Sequence, residues 1–166
     1  MKVTTSRFGE IEIDSDKIIE MPDGMIGFTE HRFILLLPDN KGCFFWLQSV
    51  DNPALAFVVA DPTAFVPGYE VTLTPDEYDK LRLAPEAVEV ILLAVVNIPN
   101  EARNITLNLQ GPIVVNPAQM TAKQIVLENG KYPVRHPLFS TAEPEQTERD
   151  GVSGSVQKIT AICGNL

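Results

Sequence analysis

Between Arg32 and Ala60 three apolar runs, RFILLL, CFFWLQSV and LAFVVA, follow one another with only PDNKG and a DNP turn between them. Runs of six to eight residues are short for helices and match strands buried against a core. The separators combine Pro, Asp, Asn and Gly, which supply turn dihedrals and local hydrogen bonds. So little connecting chain leaves no room for a crossover, and the three strands must pair as an antiparallel meander.

The flanking sequence extends this pattern. VTTSRF and EIEID alternate across Gly9 and predict an opening hairpin; KIIEM predicts a further strand. The loop PDGMIGF carries Gly24 and Gly27, which permit positive φ or close backbone approach. One helix is predicted at about 75–82, in LTPDEYDKLRL. There Thr74 is the N-cap, Pro75 takes the first helical position, Glu77 completes a capping box, and Tyr78, Leu81 and the stem of Arg82 are expected to face the body. VEVILLAVV is a β-branched run with a polar residue only near its start, so it reads as a central strand buried on both faces. NITLNLQGPIVVN and AKQIVL are strands, Asn129-Gly130 is a hairpin-like turn, and YPVRHPLF is an edge or surface segment because of Pro133 and Pro137.

Pro112 interrupts one of the better strands, and without an N–H it cannot serve the middle of a sheet ladder. A bend at a barrel corner or a bulge accommodates it, with Gly111 as a possible site of positive φ. The residues therefore read as mostly β: a compact antiparallel single domain over residues 1–139, barrel or sandwich, with one short helix. Residues 140–166 begin with STAEPEQTERDGVSGS, polar and without apolar period, and are expected to form a disordered tail.

The formal net charge is −9, and no Lys/Arg cluster is visible. Residues 61–120 hold eight acids against three bases. Direct nucleic-acid binding, which rests on neutralising phosphates, is disfavoured; an acidic surface can instead hold a basic protein. The longest apolar run, Val90 to Val96, is too short to cross a bilayer, and MKVTTSRFGEIEID lacks a signal-peptide core, so a cytoplasmic location is expected. Cys43 and Cys163 fit two idle thiols in a reducing compartment better than a disulfide.

The search for chemistry is mostly negative. His31 and His136 lack metal-ligand spacing to each other or to the cysteines, and no phosphate loop, nucleophile elbow or zinc helix motif occurs. No catalytic, metal or cofactor site is expected. The carboxylates of Asp76, Glu77 and Asp79 read better as a solvated helix start than as an acid–base pair. CFFWLQS puts Phe44 and Trp46 on one face and Phe45 and Leu47 on the other, either core or a docking anchor if one pair is exposed. Asn108, Gln110 and Asn116 either present amides to a partner or tie down the strand ends. A barrel holding a small ligand in its mouth is the alternative function, and it requires a polar lining.

GMIGF with RFILLL, FWLQSVDNPALAF, NLQGPIVVN and KQIVLENGKYPVRHPLF together resemble the bacterial flagellar assembly factor family FliW, in the family's order and over residues 1–139. Gly111 and Ile26 depart from the family's common Ala and Pro. The resemblance implies a β-barrel-like fold and a non-enzymatic role. It also implies binding of the translational repressor CsrA, at a surface of CsrA away from its RNA-contacting face, which relieves repression of flagellin synthesis. Flagellin is implied as a competing partner, held in chaperone-like fashion. Because CsrA is a small RNA-binding protein expected to be basic, Asp61, Glu70, Asp76 and Glu77 are candidates for its contact surface, with Asn108, Gln110 and Asn116 as candidates near the Gly-Pro bend. The free protein is expected to be a monomer.

Overall fold

The computed structural model describes residues 1–37, 42–86, 89–128 and 130–138. Among these are eleven strands and one α-helix: β1 Lys2–Thr5, β2 Gly9–Glu12, β3 Ile19–Glu20, β4 Arg32–Leu36, β5 Phe44–Ser49, β6 Ala56–Ala60, α1 Pro75–Lys80, β7 Ile91–Asn97, β8 Thr106–Leu107, β9 Ile113–Asn116, β10 Thr121–Gln124 and β11 His136–Pro137. The segment 140–166, Phe139, Cys163, Asn129 and most of the PDNKG turn lie outside the described residues.

The meander forms as expected, β4 with β5 and β5 with β6, all antiparallel. It continues through β7, β9, β10 and β3 back to β4, closing a seven-stranded barrel. One seam departs from the antiparallel rule: β3 and β10 run parallel, with Thr121 opposite Glu20. KIIEM supplies only the two residues of β3, enough to close that seam. The β1–β2 hairpin forms a separate two-stranded ribbon, and β8 pairs with the last two residues of β7 and carries β11 on its other side.

Side-chain alternation sorts the apolar residues into three clusters. Phe33, Leu35, Leu47, Val59, Leu93, Ile113 and Val115 point inwards and fill the barrel with Met21 and Met25. Ala60, Ala94, Val96 and Val114 lie on the outside of the β6–β7–β9 wall, covered by Tyr69, Leu81, Ile125 and Leu127. Ile34 packs outside β4 beneath Val3 and Ile13 of the N-terminal region. The two runs without alternation, RFILLL and VILLAVV, are thus the strands covered on both faces.

The Gly-Pro interruption is a bulge. Leu93 faces Ile113 while Val96 faces Leu107. Two residues of β7, Ala94 and Val95, therefore span what five residues, Asn108 to Pro112, span opposite them. NITLNLQGPIVVN is consequently two strands, β8 and β9, rather than one bent strand. Pro112 sits in the excursion, and its carbonyl accepts the Ile125 N–H at 2.8 Å. Gly111 does not adopt positive φ. Its constraint is space: a Cβ there would stand 3.2 Å from the side-chain amides of both Asn108 and Gln124.

Helix α1 carries the full capping box, with Thr74 Oγ1 accepting from Glu77 N–H and Glu77 Oε2 from Thr74 N–H. It stops at Lys80, two residues short of expectation, because Arg82 turns to φ +55°. Leu81 is fully buried and Tyr78 half-buried, as the pattern predicts, whereas Arg82 is exposed.

Candidate functional site

One end of the barrel gathers the loop 21–31, the turn 49–55, the bulge 108–112 and the stretch 124–128. Strand direction puts them together: β3, β5 and β10 finish at this end, β4, β6 and β9 begin there, and β7 finishes beside β6. The distinctive sequence motifs therefore meet at one place, although the chain separates them widely.

Loop 21–31 plugs this end, with Met21 and Met25 in the interior. Gly24 is required in it: φ is +67°, and a Cβ would meet the Phe28 and Glu30 carbonyl oxygens at 3.1 and 3.2 Å. Gly27, at φ +90°, needs only the unusual dihedral. Gln124 joins loop and bulge. Its Oε1 accepts the Ile26 N–H at 3.0 Å and its Nε2 donates to the Gly111 carbonyl at 3.0 Å. Asp23 ties the loop to two other elements through Lys123 of β10 (2.8 Å) and Lys80 of α1 (3.3 Å). Those lysines, Lys123 foremost, hold the Asp23 carboxyl below its usual pKa against an opposing desolvation.

The turn 49–55 is built around Gln48, which is fully buried. Its Nε2 faces the carbonyls of Ser49 and Leu55 at 3.0 Å and those of Asn52 and Pro53 at 3.4 and 3.3 Å. Ser49 Oγ accepts from the Asp51 and Asn52 N–H groups, and Asn52 Nδ2 donates to Glu30 Oε1 at 2.8 Å. Arg32 pairs with Asp51. Asp23 and Asp51 are thus paired with cations, whereas Glu30 meets the neutral amide of Asn52. Local sequence reasoning does not single out Gln48, Asn52, Asp23 or Gln124, because each acts through partners distant in the chain or through backbone carbonyls.

This end carries exposed apolar side chains beside its charged ones: of the eight large hydrophobic side chains strongly exposed among the described residues, Ile26 (60%) and Phe28 (43%) belong to the loop and Val126 (52%) to the stretch 124–128. Phe28 stands edge-on to half-buried Phe57, with ring centroids 5.0 Å apart.

The predicted site residues divide. Asp61 is buried, and its Oδ1 caps a one-turn helix, Pro62–Ala64, by accepting from Thr63 N–H and Oγ1–H. Asn116 is buried too: Nδ2 donates to the carbonyls of Leu81 (2.9 Å) and Arg82 (3.1 Å), and Oδ1 accepts from Ala118 N–H. Neither side chain is presented to an incoming protein. Asn108 Oδ1 accepts the Gln110 and Gly111 N–H groups, and Gln110 Nε2 reaches the Leu127 carbonyl at 3.4 Å, so both amides shape the bulge. Glu70 and Asp76 are exposed, whereas Glu77 is half-buried in its capping box. The acids thus do not form one cluster. Glu70 and Asp76 lie on the segment covering the outer wall.

His31 Nδ1 donates to the Met21 carbonyl at 3.1 Å and His136 lies in β11. No group of three His, Cys, Asp or Glu side chains arranged to hold a metal occurs among the described residues. Cys43 is a free thiol. Phe45 and Leu47 point into the barrel, while Phe44 and Trp46 on the outer face are half-buried, Trp46 beneath Arg7 and edge-on to Phe8. The apolar filling of the barrel argues against a ligand in its interior. No helix among the described residues is long and apolar enough to cross a membrane.

These features define a class: a small closed β-barrel with a filled apolar interior, whose distinguishing features face outwards. The model of the FliW protein family matches residues 2–138. The flagellar assembly factor FliW of Geotalea uraniireducens is 55% identical over 164 residues, 99% of this chain and 100% of that protein. FliW of Geobacter sulfurreducens is 54% identical over 161 residues, 97% and 99% of the respective chains. A crystal structure of the flagellar assembly factor FliW superposes with a TM-score of 0.79 at 34% identity, covering 86% of this chain and all of that one. The chain belongs to the FliW family of flagellar assembly factors.

Proposed function

We propose that this protein is a non-enzymatic, cytoplasmic flagellar assembly factor that binds the repressor CsrA, relieves repression of flagellin synthesis, and binds flagellin as a competing partner. Membership of the FliW family over residues 2–138 carries the reading. Charge supports the CsrA half of it. A chain of net charge −9 gains association rate and orientation from a basic partner. The wall covered by residues 61–83 offers Glu70, Asp76 and Asp79 to solvent. Asp76 and Glu77 sit in the first turn of α1, where carboxylates are stabilised by the helix terminus; that role accounts for them without catalysis.

The test is stopped-flow association with purified CsrA at low and high salt. Glu70→Lys with Asp76→Lys is the cleaner reversal, because Glu77→Lys also dismantles the capping box. The double variant is expected to associate about 10-fold more slowly at low salt, and added salt should shrink the difference. An unchanged rate removes the acidic wall from the CsrA contact; no binding by the unaltered protein removes CsrA as a partner.

A further inference from the structure

We infer that the N-terminal ribbon, β1 with β2, is a strap that lifts from the closed barrel as a unit and bares a strip on the outer face of β4 and β5. The ribbon completes its own hydrogen bonding. Its strands pair only with each other, and Met1 and Ile13 exchange both of their backbone bonds, at 2.8 and 3.0 Å. At the tip Thr5 Oγ1 accepts from the Phe8 N–H and donates to the Gly9 carbonyl. Among the described residues a single hydrogen bond joins the ribbon to the barrel, from the Ser6 N–H to the Pro53 carbonyl at 2.9 Å. Lifting therefore leaves every ladder of the barrel intact.

The packing beneath the ribbon is separate as well. Val3, Ile13 and the partly buried Ile11 cluster with Ile34, Leu36 and Val50, apart from the residues that fill the barrel, because Ile34 points outwards and Phe33 and Leu35 inwards. The contacts of the tip lie at the surface. Arg7 Cζ stands 4.3 Å from the Trp46 ring centre, and Phe8, 39% exposed, is edge-on to the same ring. A cleft of about 160 Å³ lies between Ser6 and Arg7 on one side and Gln48, Pro53, Ala54 and Ala56 on the other, so the tip is not close-packed on the sheet. Gln48 lines this cleft, and its buried Oε1 has no hydrogen-bond partner among the described residues; lifting hydrates it, which offsets part of the apolar exposure. A unit with its own ladder and its own small cluster opens without global unfolding. The strip that it bares is continuous, since Ile34 faces Gln48 and Leu36 faces Trp46 across the β4–β5 ladder.

The experiment is native-state hydrogen exchange of the full chain at rising, sub-denaturing denaturant. A two-stranded ribbon is not stable alone, so once lifted it melts and its ladder amides at Val3, Ile11 and Ile13 exchange. These amides are expected to be about 10-fold or more less protected than the ladder amides of β5 and β6, with a weaker dependence on denaturant. Ile113→Val, inside the barrel, should speed exchange in β5 and β6 about fivefold and change the ribbon amides less than about twofold. Ribbon amides that follow the barrel amides in protection, denaturant dependence and response to Ile113→Val overturn the inference. Thiol labelling in a Cys43→Ser, Cys163→Ser background reads the bared strip itself. Ile34→Cys, beneath the ribbon, should react about 10-fold or more faster than Leu35→Cys, its neighbour inside the barrel. Equal labelling rates mean that the strip stays covered while the barrel is closed, and overturn the inference whatever the exchange result.

Discussion

Asp23 shows how one exposed carboxylate can join three elements. It is 44% exposed in its side chain, so its pairs with Lys80 and Lys123 are screened and modest individually. Its depressed pKa nevertheless has a defined consequence. A carboxyl held below its ordinary value adds stability above that value and loses it as the pH falls through the folded-state pKa. Asp23→Asn should therefore lower stability by about 0.5 kcal/mol at neutral pH. In paired thermal melts the deficit should vanish as the pH drops below the ordinary carboxyl value of 3.8. A deficit that persists in acid would mean that the residue acts through shape rather than charge. Tyr69 contributes differently: buried, it donates its hydroxyl to the Leu109 carbonyl, and burial pushes its pKa upward. It pins the bulge from outside the wall.

At the scale of elements, Asn116 determines where α1 docks. The helix has only six residues and could not persist alone. It is held by buried Leu81 and by the Asn116 and Thr121 side chains, which donate to the Leu81 carbonyl. Asn116→Ala leaves those terminal carbonyls short of donors and should cost about 2–3 kcal/mol. Hydrogen exchange should quicken over residues 75–83, while partner affinity per folded molecule stays unchanged. Loss of affinity with normal exchange would return Asn116 to the docking surface. Local signals were sufficient for much of this level. Thr74, Pro75 and Glu77 announce the helix start, and the unalternating runs announce β4 and β7. The helix end was not legible, because it depends on Arg82 entering the left-handed region while its carbonyl is held by Asn116. The bulge was half legible: Pro112 forbids a regular ladder, but the three-residue slip in register arises only from pairing with β7 and β10.

For the whole molecule, barrel closure turns separate motifs into one surface. GMIGF, SVDNPALAF, NLQGPI and KQIVL read as unrelated loops and strands along the chain, and pairing order alone brings them to one end. The family resemblance gave their association without geometry; strand direction supplies the geometry. Asp61 illustrates the converse, since an acid in an acidic segment reads as surface until its side chain is found capping a buried turn. Molecular charge and local charge likewise differ: the chain is strongly acidic, yet Asp23 and Asp51 at this end each sit in an ion pair. The most direct measurement is translation in vitro of a reporter behind a flagellin leader repressed by purified CsrA. Adding this protein should restore translation, and then adding flagellin should restore repression. Continued repression in the presence of the protein, or relief that flagellin does not reverse, would contradict the account.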